Sequence, residues 1–279
     1  MTARSILAFG LNDSRLILRD SFLQMMAAMI VLIALGLRFG LPPLTGYLDG
    51  LGLLPGAMGT EPASHYFPLA LAYFSLFDGP LLVGFIFGFV VLDEKEDRTL
   101  DAMAVTPVAL VDYMLWRSLL SWTLGFGVTL AQMLFIGPAL EQPGIDTAAL
   151  PGLIPLIGLC ALAGLGAPLF MLFLAATASD KVQGFAMAKF IGIGGLLILV
   201  GWFLPSPLDW LPAPFPPYLV AKAYWLSLST GMGTGMGSGI GGDAGGSSLS
   251  LWLSAAAALL LHIVAIAGLV AHLDRRQRA

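Results

Sequence analysis

The chain has 279 residues, of which 58% are hydrophobic and 11% charged, with a mean hydropathy of +0.88 and a formal net charge of −4. Soluble domains carry charge on roughly a quarter of their residues, so the solvent for most of this chain is lipid. An acidic, apolar chain also offers no basic face for nucleic acid.

The first twenty residues contain "ARSILAFGLNDSRLILRD", in which Ile6, Leu7, Leu11, Leu16 and Leu18 alternate with three arginines. That pattern predicts a helix lying in the membrane interface at 1–20, with lipid headgroups as its partner. Six apolar runs follow, at 21–41, 66–92, 116–140, 150–178, 185–204 and 249–271. Each approaches or exceeds the roughly 20 residues a helix needs to cross the hydrocarbon core. They lack the alternation of barrel strands, so the predicted class is all-α integral membrane, in one transmembrane domain over 1–279. The first run is too long for the apolar core of a signal peptide and reads as a retained span.

Orientation follows from Lys and Arg. With both termini in the cytoplasm, only Arg38 and Lys222 of the 13 basic residues fall outside, and the remaining eleven fall inside. This predicts a multi-pass protein of the cytoplasmic (inner) membrane. The external loop after span one is rich in turn-formers. A second external region, 205–248, begins with Pro breaks among Trp210, Phe215, Tyr218, Tyr224 and Trp225, which favour the outer headgroups or a dip into the outer leaflet. It continues as a Gly-rich linker, and span six with a cytoplasmic tail completes the chain at 249–279.

The segment 93–115, between spans two and three, carries the functional signal. It opens with the wholly charged run "DEKEDR". Asp93, Glu94, Glu96 and Asp97 are expected at the start of a short helix, where the macrodipole favours acids, with Arg98 following them. After Thr99, the residues Leu100, Met103 and Ala104 make one apolar face. Thr106 and Pro107 then end that helix and open the next as N-cap and first residue. The expected product is a compact helical lever between two spans.

This acidic-Glu-x-Arg-Thr-Leu run ending in Thr-Pro resembles the coupling helix of type-2 ATP-binding-cassette permeases. "SDKVQGFAMAKFIGIGGLLILVGWFLPSP" and "PPYLVAKAYW" resemble the fifth-span region of the drug-export branch, the fluoroquinolone export permeases, through Lys181, Val182, Gly184, Ala188, Lys189, Pro217, Tyr218, Lys222 and Ala223. The Gly-rich insertion after Thr230 departs from that pattern. The resemblance implies a permease subunit moving an amphipathic small molecule. Its ATPase would be a separate subunit that binds ATP and Mg2+, and a second permease copy or paralogue would complete the path.

Asp78, followed by Gly79 and Pro80, is a charge inside span two. It lines a transport path, marks a bend that admits water, or lies at the outer headgroups if the span begins after it. No nucleophile–base pair and no metal-ligand spacing occurs, Cys160 reads as an apolar filler, and no Walker loop is present. The chain is thus expected to be no enzyme, with no cofactor of its own. An ion-coupled secondary transporter would need more intramembrane ionisable groups than this sequence shows. A membrane scaffold is the other alternative.

Overall fold

The computed structural model describes residues 19–51, 63–99, 110–140, 150–229 and 248–278. Among these it contains helices and no strand. The expected interfacial helix lies outside them, apart from Arg19 and Asp20, as does the Gly-rich linker. Six helices are long and apolar enough to cross a membrane: α1 (Ser21–Leu48), α2 (Ala63–Glu96), α3 (Leu110–Leu140), α4 (Leu153–Thr177), α5 (Lys181–Phe203) and, after the shorter α6 (Pro216–Ser229), α7 (Ser248–Arg278).

The bundle is built around α2. Every residue from Gly79 to Leu92 is buried, as expected of a helix apolar all round. Small residues bring its neighbours close. A methyl group on Gly84 would meet the Ala167 carbonyl of α4 at 2.6 Å, and one on Gly88 would meet Leu174 at 2.7 Å. The Gly84–Gly88 pair therefore packs within the chain, the simplest use of such spacing. Pro168 cannot donate to Gly164, and α4 breaks its helical ladder at Leu165 between them. The outer helices α1, α5 and α7 leave large apolar side chains exposed, such as Leu32, Phe190 and Val264, consistent with surfaces wetted by lipid.

Two regions gain detail that the residues alone left open. The helix of span two does not begin after Asp78. The helix is continuous through it, because the residues before Gly79-Pro80 slip into π-register over Ala72–Asp78 and Gly79 N–H bonds the Phe74 carbonyl. Pro80 has no N–H to give, and the π-turn absorbs that loss without ending the helix. Asp78 is fourteen residues from Leu92, about 21 Å along the axis.

The second region lies within 205–229. Trp210 remains at the surface, but α6 packs inside the bundle against α2, α4, α5 and α7. Trp225 is 7% exposed and donates to the Pro68 carbonyl at 3.3 Å. Lys222, one of the two basic residues counted on the external side, is neutralised by Asp209 at 2.7 Å and lies over the Trp210 ring at 3.7 Å. Paired in that way, the cation no longer keeps the helix out of the bundle.

Candidate functional site: the charged end of the bundle

The charged run does not open a new helix. α2 continues to Glu96, and the chain turns at Asp97 and Arg98, where Arg98 takes a left-handed φ of 54°. Acids at a helix C-terminus oppose the macrodipole, so this arrangement needs compensation from elsewhere. The fold supplies it residue by residue.

Asp93 pairs with Lys181 of α5 at 2.5 Å. Glu94 receives both guanidinium arms of Arg117 on α3, at 2.7 and 3.0 Å, and the Tyr113 hydroxyl at 2.5 Å. Arg117 is 2% exposed and its guanidinium also lies 4.9 Å from the Tyr113 ring centre. Such a planar, bidentate pair fixes orientation as well as charge. Lys95 donates to the carbonyls of Ala175 and, at 3.0 Å, Ala178, which are among the orphan acceptors at the end of α4. Glu96 accepts the Lys181 backbone N–H at 2.7 Å, at the positive start of α5. Four consecutive side chains thereby bind three other helices.

The clamp extends to α1. Asp20 caps that helix by accepting the Phe22 and Leu23 N–H groups at 2.8 and 3.3 Å, and it also receives Lys181 at 3.3 Å. Partial burial pushes the Asp20 carboxyl up, but these donors outweigh it and hold it below the ordinary aspartate range. Asp180 caps α5 through the Gln183 N–H at 2.8 Å, and that bond lowers its carboxyl as well.

Of the residues singled out for coupling, Glu94 and Glu96 are therefore joined in this network, while Asp97, Arg98 and Thr99 are exposed at its edge. Leu100, Met103, Thr106 and Pro107 lie outside the described residues. Sequence reasoning missed Lys95, Tyr113 and Arg117. An arginine seven residues into α3 was the available signal, since a charge at that position requires a partner. Asp78, Gly79 and Pro80 sit far from this end. Gly79 abuts the Gln132 side chain of α3, whose amide nitrogen reaches the Ile30 carbonyl of α1 at 3.3 Å.

A family model described as "Fluoroquinolones export permease protein Rv2686c-like" matches residues 13–270. Two relatives from Mycobacterium tuberculosis are similar to the chain: the fluoroquinolones export permease proteins MT2760 (strain CDC 1551 / Oshkosh) and Rv2686c (strain ATCC 25618 / H37Rv). Each is 32% identical over 230 residues, covering 82% of this chain and 84% of the relative. No solved structure matches the chain.

Proposed function

The chain belongs to the Rv2686c-like family of fluoroquinolone export permeases, within the drug-export branch of the ABC permeases, and from that premise we propose that it is the membrane subunit of an ATP-driven exporter. Its cargo is an amphipathic, drug-like small molecule. ATP and Mg2+ are bound by a separate ATPase subunit, this chain catalyses no reaction, and a second permease copy or paralogue completes the path. The charged end and both termini face the cytoplasm.

The observation that carries this reading is the clamp formed by Asp93, Glu94, Lys95 and Glu96. A segment that received a push from an ATPase would need rigid attachment to the spans it moves. Here the chain entering that segment is tied to α3, α4 and α5, and through Lys181 to α1. Leu100 and Met103 then form the face that docks on the ATPase.

The test replaces Leu100→Asp together with Met103→Asp in the full-length chain. Burying unpaired carboxylates in that contact costs several kcal/mol, a large part of the roughly 8 kcal/mol of a micromolar complex. The variant should insert and fold but lose its co-purifying Walker-motif ATPase and its transport in proteoliposomes. Retention of both would make 93–107 a loop resting on the membrane and would end the coupling reading.

A further inference from the structure

α2 is the most buried span, yet it is not sealed along its whole length. Between Ala63 and Leu92 the residues left partly open are His65, Tyr66, Ala70, Tyr73, Phe74 and Asp78, and below Asp78 none is open. Tyr66, Ala70, Phe74 and Asp78 recur every four residues. In a regular α-helix each such step drifts by about 40° around the axis. The π-turn at Ala72–Asp78 is wound less tightly and cancels that drift, so Asp78 returns to the face of Tyr66. The result is one narrow open stripe, aromatic along its length, starting beside Phe203 at the end of α5 and ending on a carboxylate.

Asp78 has no hydrogen-bond or ion-pair partner among the described residues. The charged side chains elsewhere show what this fold does when a charge is structural: Lys222 has Asp209, and Arg117 has Glu94. Two more polar groups beside Asp78 are also unsatisfied, the Ser75 hydroxyl on the same π-turn and the Gln132 Oε1 pressed against Gly79. An unpaired carboxylate in an apolar bundle costs several kcal/mol unless it takes a proton, meets water or gains a counter-ion, and an organic cation supplies the last of these. A lone carboxylate is a poor hard-cation site, since calcium takes six to eight oxygens and magnesium about six. Ring faces, by contrast, favour cations that carry their own apolar surface. Tyr73 meets Phe74 edge-on at 5.1 Å and Phe77 at 5.6 Å, making a continuous aromatic wall next to the carboxylate.

We propose that this stripe binds an amphipathic organic cation, an ammonium or phosphonium centre on an aromatic body, with Asp78 as its counter-ion and Tyr66, Tyr73 and Phe74 as its wall. That the bound molecule is cargo rests on the exporter reading; that the site binds cations does not.

The experiment uses the full-length chain in nanodiscs of zwitterionic phosphatidylcholine. Its probes are tetraphenylphosphonium and tetraphenylborate, which share a shape and differ in sign. The phosphonium should bind to the wild type in preference to the borate. Asp78→Asn should weaken phosphonium binding about tenfold or more, the worth of one charge-assisted contact, and Asp78→Glu should largely restore it. Asp78→Asn is near-isosteric and removes a charge from the membrane, so it should melt no lower than the wild type. Equal binding of both probes, or an Asp78→Asn chain that binds phosphonium normally, overturns the proposal. So does an Asp78→Asn chain that keeps the cation but changes oligomeric state, which would give the stripe to a second copy. Co-purification of an ATPase is scored separately. Its absence removes the exporter reading and leaves the cation site standing, whereas its presence with an insensitive Asp78→Asn does the reverse.

Discussion

Glu94 of α2 and Arg117 of α3 meet through two parallel bonds of 2.7 and 3.0 Å, at a place where Arg117 retains only 2% of its exposure. The pair joins the central helix to the helix on the far side of the segment 97–109. Both flanks of that segment are thus held by one contact, and its orientation relative to the bundle follows from the planar geometry of the guanidinium.

Removing one partner should therefore cost more than removing both. Glu94→Ala takes the bidentate carboxylate from a buried guanidinium and should destabilise the protein by about 3 kcal/mol, at the low end for a broken buried pair. Glu94→Leu with Arg117→Met, which replaces charge with apolar bulk, should recover most of that loss. Thermal unfolding in detergent ranks the single and double variants, and adding Glu94→Leu and Arg117→Met singly closes the cycle that yields the coupling energy. Equal losses for the single and double variants would mean the pair contributes little beyond packing.

Much of the architecture is legible in the residues alone, because an apolar run of about twenty residues suits a membrane-spanning helix and little else. The six spans fall close to where hydropathy places them, and α3 begins at Leu110, absorbing the second short helix expected before span three. The clamp is not legible. A run such as Asp93–Arg98 looks like a solvated knuckle until its partners, distant in sequence, are known; Arg117 and Lys181 are 23 and 88 residues from their acids. For α6, the prolines and aromatic residues read as marks of an external stretch, and nothing in the sequence names a partner for Lys222. The pairing that cancels the charge is again a tertiary fact, as is the π-turn that carries α2 past Pro80.

The close approach of α2 to α4 predicts unequal costs for glycine substitutions. A methyl at Gly84 collides with backbone, the Ala167 carbonyl at 2.6 Å, and backbone cannot rotate away. Gly84→Ala should lose about 1–3 kcal/mol, as overpacked sites do. Gly88→Ala meets the Leu174 side chain instead and should lose less. Gly158 of α4 has nothing within 4 Å, so Gly158→Ala should be neutral or stabilising by up to about 1 kcal/mol. Melting temperatures should rank Gly158→Ala highest and Gly84→Ala lowest; any other order would mean the α2–α4 contact is looser than it looks.

Trp225 and Trp210 should report opposite environments. Trp225 is 7% exposed within α6, whereas Trp210 is 39% exposed. In single-tryptophan variants, iodide and headgroup-depth quenchers should dim Trp210 strongly and leave Trp225 nearly unchanged. Equal quenching would place α6 outside the bundle, on the membrane surface.

Asp20 gives the clamp a pH dependence of definite sign. Its carboxyl is held below the ordinary aspartate value of about 3.9 because the Phe22 and Leu23 N–H groups and Lys181 together outweigh the effect of burial. A carboxyl lowered in the folded state binds fewer protons there than in the unfolded chain. Its contribution is therefore complete above the unfolded value and drains away as pH falls through the folded one. Asp20→Ala lacks both the cap and the Lys181 contact at every pH. At pH 7 it should be less stable than the wild type by about 1 kcal/mol, the typical worth of an N-cap. As pH falls through the lowered folded value the gap to Asp20→Ala should narrow, since the protonated wild type keeps a capping oxygen but loses its charge and with it the ion pair to Lys181. Asp20→Asn keeps a capping oxygen but not the charge, so it should fall between them at pH 7. Thermal unfolding from pH 7 to pH 3 checks the order. A gap between wild type and Asp20→Ala that stays constant across that range would show that the Asp20 carboxylate gains nothing from its charge, and that Lys181 is held by Asp93 alone.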